Sequence, residues 1–168
     1  MNLPQSVDPT AEPKAERGAR VWFPPPLVYL LSIIVGLVVQ DSERPLQLRV
    51  PVAPRISVGA VVAVAGLLLG GSAFGLFRKT GQDPTPWKTT PSLVFDGPYR
   101  FTRNPMYVGM TALQVGMGVF GVCLWVVGLA AVSLLVVHVI AVLPEERYLA
   151  KKFGAPYEEY LRRVRRYL

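Results

Sequence analysis

The sequence contains one cysteine and one histidine in 168 residues, and this scarcity excludes several kinds of site. Cys123 alone can form no intramolecular disulfide, and together with His138 it offers too few ligands for a zinc site. A glycine-rich strand–turn–helix motif of the nucleotide-binding kind is also missing, which argues against a soluble doubly wound fold. We therefore expect a functional site without a metal ion.

Charged residues are absent from a long internal stretch. The 38 residues 106–143 include no Asp, Glu, Lys or Arg. As one helix they would extend about 57 Å, roughly twice the hydrocarbon thickness of a bilayer. A hairpin of two spanning helices fits better, with a third span from about Pro105 and a fourth ending near Leu143. The sequence leaves the position of the turn between them open.

Two further uncharged runs precede this hairpin. Residues 21–39 favour a helix from about Pro26, because proline is tolerated in a first turn. Residues 56–77 form the second run, which ends at Arg78 and Lys79. With 51% hydrophobic residues and a mean hydropathy of +0.35, the chain is predicted to be an all-α integral membrane protein. About four transmembrane helices are expected, followed by C-terminal interfacial helices.

The chain divides into three predicted segments. Residues 1–20 are polar and rich in proline, lack the apolar run of a secretory signal and are expected to be disordered. Residues 21–79 form a two-helix membrane segment, in which Gly66 and Gly70 would let a neighbouring helix approach closely. Residues 80–168 form the core, which comprises a polar loop, the helical hairpin and a C-terminal cap.

Two short helices are predicted after the hairpin. The first covers about Glu145 to Phe153, with Pro144 before it and Gly154 where it would end. The second is amphipathic and should lie in the membrane interface, capping the bundle. Its apolar face would hold Tyr157, Tyr160, Leu161, Val164 and Leu168, and its opposite face Arg162, Arg163, Arg165 and Arg166.

The net charge of +7 is distributed around the apolar runs. Lys and Arg outnumber Asp and Glu by five to two in residues 78–103 and by seven to four from residue 145 onward, against three to two in residues 40–55. By the positive-inside rule, both termini and the loop before the hairpin should be cytoplasmic. The basic excess is therefore attributed to lipid headgroups, and nucleic acid is not expected as a partner.

The hairpin should bring two distant charged segments together. It returns the chain to the membrane face that it left, so the run DGPYRFTRNPMYVG (96–109) should meet Glu145 and Glu146. Arginines such as Arg100 and Arg103 can clamp a carboxylate, glutamates can hold an ammonium group or ribose hydroxyls, and aromatic rings can stack on a base or face a cation. This meeting place is the candidate active site.

Each of these residues also has a purely structural interpretation. The arginines follow the positive-inside rule and the tyrosines suit the membrane interface. Glu145 and Glu146 would complement the dipole at the start of a helix. His138, within the fourth span and seven and eight residues before the two glutamates, is either a neutral hydrogen-bonded side chain or a functional group.

The segment GPYRFTRNPMYVG, followed after the hairpin by EERYLAKKFGAPYEEYLRRVRRYL, resembles the C-terminal core of the isoprenylcysteine carboxyl methyltransferase family. It is more distantly similar to the phospholipid methyltransferases. The resemblance covers about residues 80–168. It implies a polytopic enzyme that binds S-adenosylmethionine at the cytosolic membrane face, in a pocket made by the last helices and the C-terminal segment.

The resemblance also implies a set of site residues. Arg103, Asn104 and Glu146 would be catalytic. Asn104 stands where the eukaryotic family has histidine and cannot act as a base near neutral pH, which weakens the inference of carboxylate methylation. The cofactor-binding set would be Tyr99, Arg100, Arg103, Asn104, Tyr107, Gly109, Gly116, Gly118, Glu145 and Glu146.

The resulting hypothesis is a membrane methyltransferase that uses S-adenosylmethionine and acts on a carboxylate, amine or thiol of a lipophilic or small acceptor. The competing hypothesis is a membrane scaffold or subunit whose basic cytoplasmic face binds lipids or a partner. Saturable binding of S-adenosylmethionine would distinguish them. The sequence identifies neither the acceptor nor the oligomeric state.

Overall fold

The protein is described here by a computed structural model that covers residues 18–19, 21–42, 51–83, 85 and 88–167. Most of the predicted N-terminal tail and residues 43–50 of the loop after the first span lie outside the described residues. Within the described residues all regular secondary structure is helical and there are no strands, which confirms the predicted all-α class.

The described residues form six α-helices. They are α1 (Pro25–Ser42), α2 (Val52–Lys79), α3 (Pro105–Gly121), α4 (Leu124–Val137), α5 (Leu143–Phe153) and α6 (Ala155–Arg163). A 3₁₀ turn, Gly97–Arg100, precedes α3, and a π-helical turn, His138–Val142, joins α4 to α5.

In the part of the chain that the structure describes, three helices are long and apolar enough to cross a bilayer. These are α1, α2 and the continuous helix Leu124–Phe153, which contains α4, the π turn and α5. Helix α3 has 17 residues, which is at the lower limit for a span, so the predicted count of four is approximate. Large apolar side chains such as Leu31, Leu68 and Leu135 are exposed on the helix surfaces, as expected for helices that face lipid.

Helices α2 and α3 pack antiparallel through glycines. A Cβ atom on Gly66 would lie 2.6 Å from the carbonyl oxygen of Gly109, and one on Gly116 would lie 2.7 Å from the carbonyl oxygen of Gly59. Only hydrogen at these positions permits such close backbones. The sequence-based interpretation of Gly66 as a helix-packing residue is therefore confirmed.

Polar side chains attach α1 to α3 and α4. Ser32 accepts a hydrogen bond from Ser133 of α4 at 2.7 Å and donates one to the side-chain carbonyl of Gln114 in α3 at 3.2 Å. Tyr29 is hydrogen-bonded to Thr111 of α3 at 2.9 Å. Such interhelical bonds satisfy groups that would be costly to leave unpaired in a bilayer.

The π turn explains why α4 continues into α5. Pro144 has no N–H to donate to Ile140, and its ring would clash with that carbonyl in a regular α-helix. Here the N–H of Leu143 bonds the carbonyl of His138, five residues back, and this wider turn accommodates the proline. The expected break before Glu145 is therefore absent. One long helix carries both glutamates to the end of the bundle where α3 begins.

Candidate functional site

The segment before α3 crosses one end of the bundle and is anchored by aromatic packing. Gly97 has a φ of 58°, a value that glycine adopts without strain. Tyr99 is buried and packs against Phe77 at the end of α2, with ring centroids 5.6 Å apart. Its carbonyl accepts a hydrogen bond from the hydroxyl of Tyr160 in α6 at 2.8 Å. The turn is thus held between α2 and α6.

The two predicted charged segments meet at this end. Arg103 Nη1 lies 3.1 Å from Glu146 Oε1, and the two side chains are only 11% and 14% exposed. Arg166 reaches the same carboxylate, with Nε 3.0 Å from Oε1 and Nη2 2.8 Å from Oε2. Glu146 is therefore held between two guanidinium groups. The juxtaposition inferred from the hairpin is confirmed for Arg103 and Glu146.

The chain after α6 contributes to this arrangement as a non-helical segment, Val164–Tyr167, which we call the C-terminal strap. The backbone N–H of Arg103 donates to the carbonyl of Arg165 at 2.9 Å. The carbonyl of Arg166 accepts from Thr102 Oγ1 at 3.1 Å and from Asn104 Nδ2 at 3.0 Å. The strap is thereby fastened to the segment that precedes α3.

Glu145 differs from Glu146 in its surroundings. Its Oε1 accepts a hydrogen bond from the hydroxyl of Tyr107 at 2.8 Å, and within the described part of the chain no Lys or Arg forms an ion pair with it. Arg103 has an unused hydrogen-bond donor, because its Nε is buried without a hydrogen-bond partner. One acidic and one basic group thus retain capacity to bind a ligand.

Both groups border the same cavity, which has about 820 Å³ of empty space, including the part open to solvent. The cavity lies between the loop after α2, the start of α3, and helices α5 and α6. Its lining is largely aromatic and polar. It includes Phe77, Asp83, Thr90, Phe95, Tyr99, Arg103, Asn104, Tyr107, Glu145, Tyr148, Tyr157 and Tyr160.

The tyrosines outside the spanning segments are protonated donors at neutral pH. Burial raises the pKa of Tyr160 to about 12 and the pKa values of Tyr99 and Tyr157 further above the ordinary tyrosine value. The hydroxyl of Tyr160 already donates to the carbonyl of Tyr99, whereas the hydroxyls of Tyr99 and Tyr157 can donate hydrogen bonds to a ligand. The rings of all three offer flat apolar faces. The three tyrosines are not bases at physiological pH.

A second, apolar groove adjoins the cavity. It has about 920 Å³ of empty space, including its open part, and runs between the start of α1, the middle of α2 and the start of α3. The two spaces share Thr85, Met106 and Tyr107. A Cβ at Gly71, on the groove wall, would meet no atom within 4 Å. The groove thus runs from the lipid-facing side of the bundle to the cavity.

Several predicted site residues lie elsewhere. Arg100 points outward, pairs with Asp96 at 2.9 Å and is 69% exposed, so the structure does not bring it to the cavity. Gly109 and Gly116 face α2, and a Cβ on Gly118 would lie 2.7 Å from a side-chain methyl of Val127 in α4. These three glycines serve helix packing, and none of them lines the cavity.

The remaining predicted residues are at the cavity or directly behind it. Tyr99, Arg103, Asn104, Tyr107 and Glu145 line it. Glu146 is not part of the lining but holds Arg103 from behind.

His138 lies behind the site. Its Nδ1 is 2.8 Å from the hydroxyl of Tyr167, so it anchors the end of the C-terminal strap to the π turn. The side chain does not line the cavity. Of the two interpretations that the sequence left open, the hydrogen-bonded one matches this geometry.

Sequence reasoning placed Arg166 wrongly. The predicted amphipathic helix put it on an exposed basic face, but α6 ends at Arg163 and Val164 is already extended, with φ −114° and ψ 133°. Arg166 therefore turns inward to Glu146. Helical periodicity assumes that the helix continues, so it could not reveal this contact. Tyr148, which lines the cavity from α5, carried no signal beyond its residue type.

Comparison with known families identifies one family for this chain. A family model described as phospholipid methyltransferase matches residues 54–156, which is more than half of the chain and extends from the start of α2 to the start of α6. Comparison with curated proteins and with solved structures gives no significant match. The match supports the resemblance to membrane methyltransferases seen in the two sequence motifs. The chain belongs to the phospholipid methyltransferase family.

Proposed function

We propose that the protein uses S-adenosylmethionine to methylate a lipophilic or small acceptor at the cytosolic face of the membrane. The observation that carries this proposal is the pairing of two unsatisfied groups at one cavity. Arg103 has a buried Nε without a partner, and Glu145 has a carboxylate without a cationic partner among the described residues. A ligand with both an anionic and a cationic end fits such a site.

The residues present fit the cofactor in chemical type. Arg103 can hold its carboxylate through charge-assisted hydrogen bonds. Glu145 can offset the positive charge of its ammonium or sulfonium group. Tyr99 and Tyr157, both largely buried, offer rings against which a purine can stack and hydroxyls that can bond ribose.

The chemistry requires mainly orientation and partial exclusion of water. When bound, S-adenosylmethionine supplies a methyl group activated by a positively charged sulfur. Glu145 and Arg103 would hold the two ends of the cofactor, and the aromatic lining would limit solvent. Asn104 donates its amide to the carbonyl of Arg166, so its proposed part in catalysis is to keep the strap in place.

The acceptor is proposed to approach through the apolar groove. Phe74, Met106 and Met110 line that groove, and it contacts the cavity at Met106 and Tyr107. An acceptor with an apolar body in the groove would present its carboxylate, amine or thiol to the cavity. Arg78 and Lys79 end α2 at the same end of the bundle, and the positive-inside rule then favours a cytosolic cavity.

Calorimetric titration of the purified protein with S-adenosylmethionine tests the proposal. Wild type should bind saturably, and Arg103→Gln should weaken binding by about tenfold or more, because hydrogen bonds to charged groups contribute about 1.5–3 kcal/mol. Arg100→Gln removes an equal charge three residues away and should bind like wild type. Absence of saturable binding by wild type would instead favour the scaffold hypothesis.

A transfer assay then identifies the acceptor. Labelled S-adenosylmethionine is offered with extracted lipids, prenylcysteine analogues and small thiols in separate reactions. Transfer of label to one of these classes, lost in Arg103→Gln, is the expected result.

A further inference from the structure

Arg166, in the C-terminal strap, makes a more specific contact than a surface ion pair. Arg166 binds both oxygens of Glu146, with its Nε at 3.0 Å and its Nη2 at 2.8 Å. This two-pronged arrangement fixes the plane of a carboxylate in a way that one contact cannot. Arg166 also shares Oε1 of Glu146 with Nη1 of Arg103. Any rotation of the Glu146 carboxylate therefore changes the position of Arg103.

Arg166 does not reach the cavity itself, because neither it nor Glu146 is part of the cavity lining, whereas Arg103 is. The position of Arg166 is nevertheless fixed by hydrogen bonds of the strap. The carbonyl of Arg166 accepts hydrogen bonds from Thr102 and Asn104, and the next residue, Tyr167, is hydrogen-bonded to His138. The strap is thus tied to the chain on either side of Arg103 and to the π turn.

We propose that Arg166 is a positioning residue that orients Arg103 toward the ligand through Glu146. The inference rests on the proposed function, because Arg103 is there the group that holds the anionic end of S-adenosylmethionine. The contacts run from Arg166 to Glu146, at 2.8 Å, and from Glu146 to Arg103, at 3.1 Å.

A matched pair of variants tests this role in the full-length protein. Arg166→Gln removes the two-pronged contact, whereas Arg165→Gln removes the same charge from an exposed neighbour. Calorimetric titration should show a dissociation constant for S-adenosylmethionine raised about tenfold or more in Arg166→Gln and unchanged in Arg165→Gln. Arg166→Lys keeps the charge but cannot contact both carboxylate oxygens in the planar arrangement of a guanidinium group. This variant should therefore fold and bind S-adenosylmethionine with an intermediate affinity.

A double-mutant cycle separates positioning from general destabilisation. If Arg166 acts through Glu146, then Arg166→Gln should have little further effect on the dissociation constant in a Glu146→Gln background. Equal affinities of Arg166→Gln and Arg165→Gln overturn the inference, as does an undiminished effect of Arg166→Gln in the Glu146→Gln background. If Arg166→Gln does not fold, Arg166→Lys against Arg165→Lys gives the same comparison.

The two proposals fail in different ways. Without saturable binding by wild type, the proposed function is wrong and the inference that rests on it is wrong too. With saturable binding by wild type that Arg103→Gln weakens but Arg166→Gln does not, the function stands and only the positioning role is wrong.

Discussion

The two adjacent glutamates should respond differently to the same substitution. Glu145→Gln changes a carboxylate that accepts one hydrogen bond from Tyr107 and has no cationic partner among the described residues. Glu146→Gln changes a carboxylate held by Arg103 and Arg166. We expect the first variant to lose ligand affinity and the second to lose stability as well.

The structure sets the size of each effect. In Glu145→Gln, the amide oxygen can still accept from Tyr107, and a partly buried charge that is costly to desolvate is removed. The thermal midpoint should therefore not fall. A charge-assisted contact to the ligand is worth about 1.5–3 kcal/mol, which corresponds to roughly 10- to 150-fold in dissociation constant. Because the cavity is partly open to solvent, the lower end of that range applies.

In Glu146→Gln, two arginines lose their common counter-ion. Breaking a fully buried ion pair costs about 3–5 kcal/mol. The Arg166 side chain is 38% exposed and can be partly hydrated, so a smaller loss of about 1–3 kcal/mol in the free energy of unfolding is expected here. The thermal midpoint should fall clearly below those of wild type and Glu145→Gln.

The assay combines thermal unfolding with calorimetric titration of S-adenosylmethionine and of its neutral-sulfur product, S-adenosylhomocysteine. If Glu145 interacts with the positive sulfur, Glu145→Gln should weaken binding of the first ligand more than of the second. If it contacts the ammonium or ribose, both should weaken equally. Wild-type affinity for both ligands in Glu145→Gln would refute the reasoning that assigns Glu145 to the ligand.

Three further predictions concern the groove, the helix packing and the tyrosines. Gly71→Leu should fill the open apolar groove and lower kcat/KM for a long-chain acceptor, with unchanged cofactor affinity. Gly75 is equally open but lies outside the groove, so Gly75→Leu should change neither quantity. Equal activities of the two variants would exclude the groove as the acceptor path. Gly116→Ala places a Cβ 2.7 Å from the carbonyl oxygen of Gly59 in α2 and should lower the free energy of unfolding by about 1–3 kcal/mol. Gly128→Ala, with open space, should be neutral or stabilising. An undiminished thermal midpoint in Gly116→Ala would contradict the close packing. The pKa of Tyr160 is raised to about 12 from an unfolded value of about 10. The stability that this shift contributes is full below about pH 10 and is lost as the pH rises toward about 12. In an alkaline absorbance titration, Tyr160→Phe should lack one tyrosine ionisation near pH 12, and an unchanged titration curve would contradict the raised pKa.

Much of the fold was readable from the sequence because bilayers impose strict lengths and polarities. The uncharged stretch 106–143 is too long for one span and long enough for two, so the hairpin followed from the sequence, and with it the meeting of Arg103 and Glu146. The first two helices were also located, with bounds within a few residues of α1 and α2. These inferences depend on local composition and on the direction of the chain, which the sequence contains.

The functional assignment of individual residues was less accurate where it needed side-chain directions. Arg100 and Arg103 have the same chemistry and lie three residues apart, yet one points outward to Asp96 and the other inward to Glu146. The 3₁₀ turn and Gly97 set this difference, because they determine how the segment enters α3. Likewise, Gly109 and Gly116 allow α2 to pack closely against α3. A pattern of glycines in a sequence does not reveal which neighbouring helix they face.

The sequence by itself determined that this is a helical membrane protein whose basic and acidic motifs lie at one end of the bundle, because a hairpin of apolar helices returns the chain to the membrane face that it left. Only the tertiary structure decided which of those charges satisfy one another and which remain available to a ligand. Glu146 is paired with two arginines and Glu145 with none of the described ones. The partners of a buried charge are set by the distances between helices. They also depend on where α6 ends, because Arg166 lies beyond that end and turns inward.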